Sequence, residues 1–401
     1  MMRESVFVSI IITLLVPGTV FSQDTYSIFA WGSNLVGQCM VPPPNEGFIA
    51  VCAPYNHSLG LQVDGSIVAW GNNENGECDI PAPNQDYIAI GGGYNSMGLK
   101  SDGSVLVWGS DEYGQCTVPD SGPYTAIGGG GGFCFAIRED STIVAWGNNG
   151  LGQCDVPSPN GDFVDVSGGL ASGLALRSDG SLVAWGSNIW GQCNIPSPNE
   201  DFIAACSGWK HCLGLKADGS VVAWGSNDYG QCDVPEPNED FVAVAGGTYH
   251  SLGLKSDGSV VAWGDNDEGQ CNVPLPNENY FEISAGLEHS LALKLISSST
   301  EGNSSATTEG ALAVTGMFPN PAASYTTVSF RSRSGEALTF EVYELSGRRV
   351  YRKQLGTAGG AERSLYWDCS DGDGSPLARG VYIIRITDGT ESASARMVIT
   401  G

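Results

Sequence analysis

The pair Trp-Gly recurs seven times along the chain, at intervals of 38 or 39 residues. The tryptophans are Trp31, Trp70, Trp108, Trp146, Trp185, Trp224 and Trp263. A fixed period of this length is typical of repeat architectures, in which each unit packs against the next. Within a unit, short alternating apolar stretches are separated by Gly, Asp-Gly and Pro-Asn, which predicts strands and turns and no helix. With 56 glycines and only 15% charged residues, the chain has a turn-rich, all-β composition.

The unit that contains Trp263 illustrates the strands expected in each repeat. Its predicted strands are residues 241–244, 251–254, 260–263 and a short fourth at 270–273. The Asp257-Gly258 pair between the second and third strands is expected to form a two-residue type I′ turn. Four short strands at this spacing make one blade of a β-propeller.

The two ends of the repeat region are incomplete in complementary ways. The last unit stops after two strands, at residues 281–284 and 289–293, whereas residues 26–32 match a third strand that has no preceding partner. The N-terminal segment is therefore predicted to complete the last blade and to remove the exposed sheet edges that an open solenoid would leave. The predicted fold is all-β, with a seven-bladed β-propeller over residues 24–295.

The propeller region is flanked by three segments of different composition. Residues 1–22 read as a secretory signal, with Arg3, an apolar run and a small-residue cleavage site. The apolar run is short for an uncleaved membrane anchor, so no membrane span is expected after signal removal. Residues 296–312 are a Ser/Thr/Gly-rich flexible linker, and 313–401 form a second β-rich domain.

The repeated residues resemble those of the regulator of chromosome condensation family. The shared motifs are His-Ser-Leu-x-Leu, Asp-Gly-Ser-Val-x-x-Trp-Gly and Asn-x-x-Gly-Gln, which recur in register across residues 24–295. The resemblance implies a seven-bladed propeller. The units are shorter than those of the nuclear members, which exchange nucleotide on a small GTPase, and closer in length to the secreted bacterial β-lactamase-inhibitor propeller. An exported acidic chain is not expected to share the nuclear activity.

The tail resembles the C-terminal sorting domain of bacterial type IX secretion. The resemblance rests on residues 318–321, 342–350, 380–386 and 395–399. It implies export to the bacterial cell surface or the extracellular space, with attachment through this domain. Residues 367–374 exceed the usual loop length and instead resemble the immunoglobulin-like domain of flagellar hook-capping proteins, so a small immunoglobulin-like β-sandwich is the predicted fold.

Charge excludes one class of partner. The chain has a net charge of −26, and residues 23–296 carry 32 acidic and 7 basic side chains, a net charge of −25. Such a surface repels a phosphate backbone, so no nucleic-acid partner is expected.

Two residue types recur in register. The histidines are His57, His211, His250 and His289. Metal ligands must converge within about 2.1 Å of one ion, which positions in separate blades do not do, so a structural histidine bonded to neighbouring backbone is favoured and no metal is predicted. The cysteines are Cys39, Cys78, Cys116, Cys154, Cys193, Cys232 and Cys271. Exported proteins commonly carry disulfides, but repeat symmetry keeps these residues apart, so buried free thiols are favoured.

The sequence also favours a protein that is not an enzyme and binds no cofactor. It has no Gly-x-Ser-x-Gly motif, no His-Glu-x-x-His motif and no phosphate-binding loop. Residues 265–268 and 371–374 resemble pieces of calcium loops but lack the full spacing and the distal glutamate. A hydrolase or lyase that uses the histidines is the least favoured alternative.

Two loops of each repeat vary, namely Gly-Gly-x-x-His and Asn-x-x-Gly-Gln, while the other two barely change. Hairpin loops alternate between the two ends of a blade, so the variable pair is expected to share one face. Rigid aromatic side chains on a repetitive scaffold are typical of recognition surfaces. The predicted partner-binding residues are Tyr113, Trp190, Tyr229, Tyr55, Tyr94, Trp209 and Tyr249.

Together these features predict a secreted or surface-attached, non-enzymatic propeller that binds an unidentified protein or surface macromolecule. An enzyme inhibitor of the β-lactamase-inhibitor kind is one form of this function. A structural or adhesive surface protein without a single defined ligand is the alternative from another class.

Overall fold

The computed structural model describes residues 25–296 without a gap and most strands of the tail. The described tail residues are 313–318, 326–331, 337–344, 349–357, 363–372, 374, 375, 377, 380–387 and 392–399. The predicted signal segment and residues 297–312 of the predicted linker lie outside them, whereas Ile296, the first residue of that linker, ends a strand. No helix long and apolar enough to cross a membrane occurs among the described residues. The chain divides into two compact units, one built on Thr25–Ile296 and the other on the described residues from 313 onward.

The first unit, residues 25–296, consists of seven three-stranded antiparallel sheets. The strands are β1 (Thr25–Gly32), β2 (Phe48–Cys52), β3 (His57–Gln62), β4 (Ile67–Gly71), β5 (Tyr87–Gly92), β6 (Asn95–Lys100), β7 (Val105–Gly109), β8 (Tyr124–Gly129), β9 (Phe133–Arg138), β10 (Ile143–Gly147), β11 (Phe163–Gly168), β12 (Ser172–Arg177), β13 (Leu182–Gly186), β14 (Phe202–Ser207), β15 (His211–Lys216), β16 (Val221–Gly225), β17 (Phe241–Gly246), β18 (His250–Lys255), β19 (Val260–Gly264), β20 (Tyr280–Ala285) and β21 (His289–Ile296). Each consecutive triplet from β2 to β19 forms one sheet, and β1 joins β20 and β21.

The sheet that contains β1 joins the two ends of the unit. Strand β1 pairs with β21 along its whole length, from Thr25 opposite Ile296 to Gly32 opposite His289. The first strands of neighbouring sheets contact one another, and β20 contacts β2, so the sheets close into a ring. The prediction that the N-terminal segment completes the last repeat is confirmed, and β21 has no unpaired edge as a result.

The core of the first unit lies between neighbouring sheets. Phe241 and Trp263 of one sheet pack against Leu213 and Leu215 of the sheet before it. The middle strands are buried on both faces, which explains why they read as continuous runs of small and apolar residues. The backbone of Gly253 in the middle strand packs against the Phe241 ring, and a Cβ atom on Gly253 would collide with that ring.

The predicted fourth strand is wrong, because residues 270–273 form a tight turn and an irregular segment. The Asn272 N–H donates to Gly269 O at 3.0 Å, which curls the chain back. The outer edge of β19 is met instead by one side chain, since Asn277 accepts from the Val260 N–H and donates to Val260 O, both at 2.8 Å. The Asn277 side chain thus bonds the edge of β19 at Val260, where the predicted fourth strand would have paired.

The predicted type I′ turn is also wrong. In the β18–β19 hairpin the Lys255 N–H donates to Ser259 O at 2.8 Å, and the Gly258 N–H donates to Lys255 O at 3.0 Å. Gly258 has a φ of 83°, whereas Asp257 is not among the residues with positive φ that a type I′ turn requires at both centres. The loop is three residues long, and the Asp257 carboxylate accepts from the Ser259 N–H and hydroxyl.

The second unit is built from two antiparallel sheets. Its strands are β22 (Ala313–Phe318), β23 (Thr326–Arg331), β24 (Ala337–Glu344), β25 (Arg349–Thr357), β26 (Arg363–Trp367), β27 (Gly380–Thr387) and β28 (Ser392–Ile399). One sheet has the order β22-β23-β26 and the other β25-β24-β27-β28. Val328 and Trp367 of the first sheet share a buried core with Phe340 and Ile384 of the second, which is a sandwich-like layering.

Candidate functional site

The residues that repeat most strictly hold neighbouring sheets together. The Trp263 indole N–H donates to Gln231 O of the preceding repeat at 2.9 Å, and the Ser251 hydroxyl donates to the same oxygen at 2.9 Å. All seven Trp-Gly tryptophans donate to the equivalent carbonyl, at 2.8 to 2.9 Å. These tryptophans are 5 to 7% exposed. They are therefore part of the interior and cannot contact a partner.

The histidines belong to the same network. His211 Nε2 lies 2.9 Å from Ser251 Oγ in the next repeat. Because the hydroxyl hydrogen of Ser251 goes to Gln231 O, the serine oxygen accepts and His211 Nε2 carries the proton. The other contacts are His57 to Ser96, His250 to Ser290 and His289 to Ser58. The expected bond to neighbouring backbone is wrong, since the imidazole bonds a serine side chain across a sheet interface.

Burial makes these histidines poor bases and poor ligands. Desolvation lowers the pKa of His211 from 6.5 to about 4 and the pKa of His57, His250 and His289 to about 3. Each histidine lies in a different sheet interface, so they do not meet at one point. No group of three or more His, Cys, Asp or Glu side chains with metal-binding geometry occurs in the described part of the chain.

The repeat cysteines are free thiols, and each bonds within its own loop. All twelve cysteines are unpaired in the structure. Cys232 Sγ donates to Ser226 O at 3.2 Å, and Cys271 Sγ donates to Asp265 O at 3.1 Å. Burial raises the pKa of Cys232 to about 11 and the pKa of Cys271 to about 12. They are half-buried rather than fully buried as the sequence predicted, because the loop that they close lies at the surface.

The loops between the first and second strands, here called the axial loops, are joined into a ring of backbone hydrogen bonds. The bonds run from the N–H of Tyr55 to Gly93 O, Tyr94 to Gly130 O, Gly131 to Gly169 O, Leu170 to Trp209 O, Trp209 to Gly247 O, Thr248 to Leu287 O, and Leu287 to Tyr55 O, at 2.9 to 3.4 Å. The last bond returns to the first loop. Side chains on these loops are consequently held at fixed positions around the centre of the ring.

Three of the predicted binding residues meet over this centre. The Tyr55 ring lies 4.8 Å from the Tyr94 ring and 5.2 Å from the Trp209 ring, and Tyr94 and Trp209 are 6.2 Å apart. Aromatic rings that pack edge-to-face or tilted at such distances attract each other. These three residues, here called the axial cluster, are half-buried and form a rigid aromatic platform.

An apolar cleft adjoins the axial cluster. Its volume is about 360 Å³, and its lining includes Tyr94, Tyr113, Leu151, Leu170, Ile189 and Trp190. Tyr94 comes from an axial loop, whereas Tyr113 and Trp190 come from the loops that follow Trp-Gly. The prediction that these two kinds of loop share one face is therefore confirmed. Tyr113 is 46% exposed, Leu151 56% and Ile189 74%, so the cleft wall faces solvent.

A glutamine, replaced by Glu77 in one repeat, positions the variable residue beside it. Gln115 Oε1 accepts from the Tyr113 N–H at 2.8 Å, and Gln192 Oε1 accepts from the Trp190 N–H at 2.9 Å. The same glutamine residues present their backbone carbonyls to the interior network. In these two repeats the glutamine thus fixes a variable aromatic residue to the rigid interior.

The remaining predicted residues form a second group. Tyr229 and Tyr249 lie 4.5 Å apart between ring centres. The Lys210 ammonium lies 4.7 Å from the Trp190 ring and 5.2 Å from the Tyr249 ring, and it donates to the Tyr249 hydroxyl at 3.2 Å. Lys210 thereby links this pair to the cleft, so all seven predicted residues lie in one connected aromatic region.

Positive charge is segregated away from this face. Of the seven Lys and Arg side chains within residues 25–296, six bond to the Pro-containing loops of the opposite face: Lys100, Arg138, Arg177, Lys216, Lys255 and Lys294. Lys210 is the remaining one, and its ammonium is already engaged. The loops of the variable face instead carry the carboxylates of Glu74, Asp111, Glu112, Asp228, Asp265, Asp267, Glu268 and Glu288. Burial and the neighbouring Glu268 and Asp265 raise the pKa of Glu288.

Leu151, Leu170 and Ile189 are part of the cleft but are not among the predicted binding residues. They occupy variable positions of the two loops, and apolar side chains at such loop positions are the signal that could have identified them. The sequence prediction favoured aromatic residues and so passed over aliphatic ones.

The repeats and the tail match known families. Residues 87–115, 202–231 and 241–270 match the regulator of chromosome condensation (RCC1) repeat. Residues 316–400 match the secretion system C-terminal sorting domain. The chain carries RCC1 repeats and a sorting domain. Both resemblances read from the sequence are confirmed. The sorting domain indicates that this RCC1-repeat protein is secreted by the type IX system to the bacterial cell surface or the extracellular space.

Solved structures share the fold of the RCC1-repeat unit. Prp20p from Saccharomyces cerevisiae, described with its binding to Gsp1p and histones, has a TM-score of 0.58 and 18% identity, covering 69% of this chain and 93% of its own. Human WBSCR16 has a TM-score of 0.55 and 16% identity, covering 67% and 98%. The Physcomitrella patens receptor kinase CR4 ectodomain has a TM-score of 0.50 and 20% identity, covering 60% and 68%. At these identities the likeness concerns the fold alone. No curated protein matches the sequence of this chain.

Proposed function

We propose that the chain is an exported, non-enzymatic seven-bladed β-propeller that binds a protein partner through its variable face. The observation that carries this proposal is the convergence of the axial cluster, the cleft and the Tyr229–Tyr249 pair on one face. Half-exposed aromatic side chains on a rigid backbone lose little entropy on binding, which suits them to act as affinity anchors. The RCC1-type fold supports the proposal because Prp20p, which shares it, binds proteins.

The proposal includes the organisation of the whole chain. Residues 24–295 form the binding propeller, 1–22 a signal peptide, 296–312 a flexible linker, and 313–401 an immunoglobulin-like sandwich that directs sorting and attachment. The two sheets with a common core in the tail support the last assignment. No catalytic role is proposed, because the buried histidines have strongly lowered pKa values and each bonds a serine in a different sheet interface.

Affinity capture with variants of the mature protein tests the binding face. The protein should retain a specific partner from the cell-surface fraction of its source bacterium. The double variant Tyr113→Ala/Trp190→Ala should lose that partner, since truncating central aromatic anchors typically costs about 2 kcal/mol or more each. Leu275→Ala is the matched control, because Leu275 is 86% exposed on a Pro-containing loop of the opposite face.

The results separate the candidate functions. Equal retention by the wild type and the double variant would contradict binding through this face. If the wild type retains nothing beyond a blank resin, the structural or adhesive alternative replaces the proposal.

Truncation tests the role of the tail. Removal of residues 313–401 should leave a folded propeller that still binds its partner but no longer reaches the surface of a type IX-competent host. Surface labelling of intact cells measures this directly. Normal display of the truncated chain would contradict the sorting role of the tail.

A further inference from the structure

The cleft has the dimensions of a pocket for a side chain. Its volume of about 360 Å³ is near the lower limit of ligand pockets, which run from roughly 300 to 1,000 Å³. Its walls are the aliphatic side chains of Leu151, Leu170 and Ile189 and three aromatic rings. An apolar or aromatic side chain that enters such a site is removed from water on several sides, which is the main source of affinity in protein interfaces.

The cleft also contains a polar group without a partner. Ser187 lines it and is 6% exposed, and its hydroxyl oxygen makes no hydrogen bond within the described part of the chain. A buried polar atom that lacks a partner calls for an explanation, such as an unseen ligand or water. A peptide backbone that follows an inserted side chain would supply both donors and acceptors for this hydroxyl.

Carboxylates lie across the axial cluster from the cleft. Tyr94 lines the cleft and contacts Tyr55, and Tyr55 O accepts from the Leu287 N–H at 2.9 Å, which places the adjoining Glu288 beside the axial cluster. Burial and the charge of Glu288 raise the pKa of the Tyr55 phenol. The backbone of Gly32 lies against both Glu288 and Gln270, so the loop that carries Asp265 and Glu268 adjoins Glu288. Burial and the charges of Glu268 and Asp265 raise the pKa of Glu288. The variable loops hold no free cation beside these carboxylates, since Lys210 is engaged by Trp190 and Tyr249.

We infer, building on the proposed function, that the variable face recognises a polypeptide segment with two elements: an apolar or aromatic side chain that fills the cleft, and a lysine or arginine a few residues away that reaches Asp265, Glu268 and Glu288. The axial cluster lies between the two sites and supports the intervening backbone. Charge complementarity selects a cationic segment, because six of the seven basic side chains within residues 25–296 lie on the opposite face and the seventh, Lys210, is engaged by Trp190 and Tyr249. An acidic partner is repelled.

Selection from a random peptide library displayed on phage tests this inference with the full mature protein as bait. Enriched peptides should pair an aromatic or large aliphatic residue with a nearby Lys or Arg. Synthetic copies labelled with fluorescein are then titrated against variants. Ile189→Asp should weaken binding by about tenfold or more, because it places a charge in the apolar wall. Glu288→Gln should weaken it by about threefold and reduce its dependence on salt.

The opposite face offers matched controls within one loop. Leu275→Asp and Glu278→Gln change an exposed aliphatic residue and an exposed carboxylate in the same ways. Both variants should bind the selected peptides as the wild type does. Thermal unfolding of all four variants verifies that each is folded.

The outcomes distinguish this inference from the proposed function. Peptides that lack basic residues but lose affinity in Ile189→Asp would overturn the inference and leave the proposed binding face in place. Absence of enrichment, or binding that no cleft variant affects, would overturn both. Retention of neutral oligosaccharides on a glycan array, abolished by Ile189→Asp, would replace the peptide with a carbohydrate.

Discussion

Trp185 and Trp190 lie in the same repeat, five positions apart, and occupy opposite environments. Trp185 is 5% exposed, donates to Gln153 O at 2.9 Å and packs on Phe135 at 5.3 Å between ring centres. Trp190 is half-buried, lines the cleft and lies under the Lys210 ammonium. The first indole has a partner for its polar atom inside the protein, whereas the second presents its ring to the surface of the variable face.

The difference follows from what covers each residue. Trp185 belongs to strand β13, which the preceding sheet covers, and its position recurs in every repeat. Trp190 belongs to the loop beyond the end of that strand, where only loops of other repeats approach. The position of Trp185 holds the same residue in every repeat because inter-sheet packing constrains it. The position of Trp190 varies between repeats because it has access to solvent.

The largest expected effect comes from removing the strand that closes the ring. Deletion of residues 24–32 takes away β1 and exposes the edge of β21. We expect aggregation or a large loss of thermal stability, measured by light scattering and circular dichroism. A permuted chain that begins at residue 47 and carries Ser-Asp-Gly plus residues 27–46 after Lys294 should restore folding. An unchanged melting profile in the deletion variant would show that the interior does not depend on closure.

Truncation of Trp185 and of Trp190 tests directly whether the two tryptophans differ in their contribution to stability. Trp185→Ala should lower the free energy of unfolding by about 3–5 kcal/mol, because it leaves a cavity and an unbonded Gln153 carbonyl. Trp190→Ala should lower it by less than about 1 kcal/mol, as surface positions usually do. Urea unfolding monitored by circular dichroism measures both values. Equal losses would refute the division into interior and variable face.

Acid should lower the stability of the fold through the buried histidines of the interior before it affects the variable face. The pKa values of about 3 to 4 for the four histidines lie below the 6.5 of the unfolded chain. Protonation is therefore favoured in the unfolded chain, and stability present above pH 6.5 is lost as the pH falls towards 3 to 4. The loss is up to about 1.4 kcal/mol per pH unit for each histidine. Unfolding in urea at a series of pH values measures it.

A control variant separates the histidines from the carboxylates that titrate in the same range. Asn95 occupies the histidine register in its repeat and donates to Cys134 Sγ at 3.2 Å. His250→Asn should keep the fold and show a shallower loss of stability in acid. An acid dependence identical to that of the wild type would mean that His250 takes up no proton on unfolding.

The smallest effect concerns the loop thiols. Their raised pKa values, about 11 for Cys39, Cys78, Cys116 and Cys154, leave little thiolate at neutral pH. Alkylation of the native protein by iodoacetamide should be slow, whereas denaturation without a reductant should allow full labelling. Mass spectrometry counts the labels. Protection of most of the seven loop cysteines after denaturation would reveal disulfides.

Several features could be predicted from the sequence because they depend on local pattern. The strand positions, the completion of the last repeat by residues 26–32 and the common face of the two variable loops all follow from periodicity and alternation. The fourth strand at 270–273 was wrongly predicted, because β-propensity does not reveal that Asn277 occupies the neighbouring edge. The role of the candidate residues in binding stays a prediction.

The repeat period, the all-β class, the acidic charge and the sorting tail can be read from the linear chain, because each is written in consecutive residues. The meeting of Tyr55 with Trp209, the cleft between three successive loops and the placement of six basic side chains on one face required the folded ring. These contacts join residues from different repeats, and their distances depend on how many sheets close the circle. Local sequence specifies each sheet, but only inter-sheet packing brings the variable side chains into one surface.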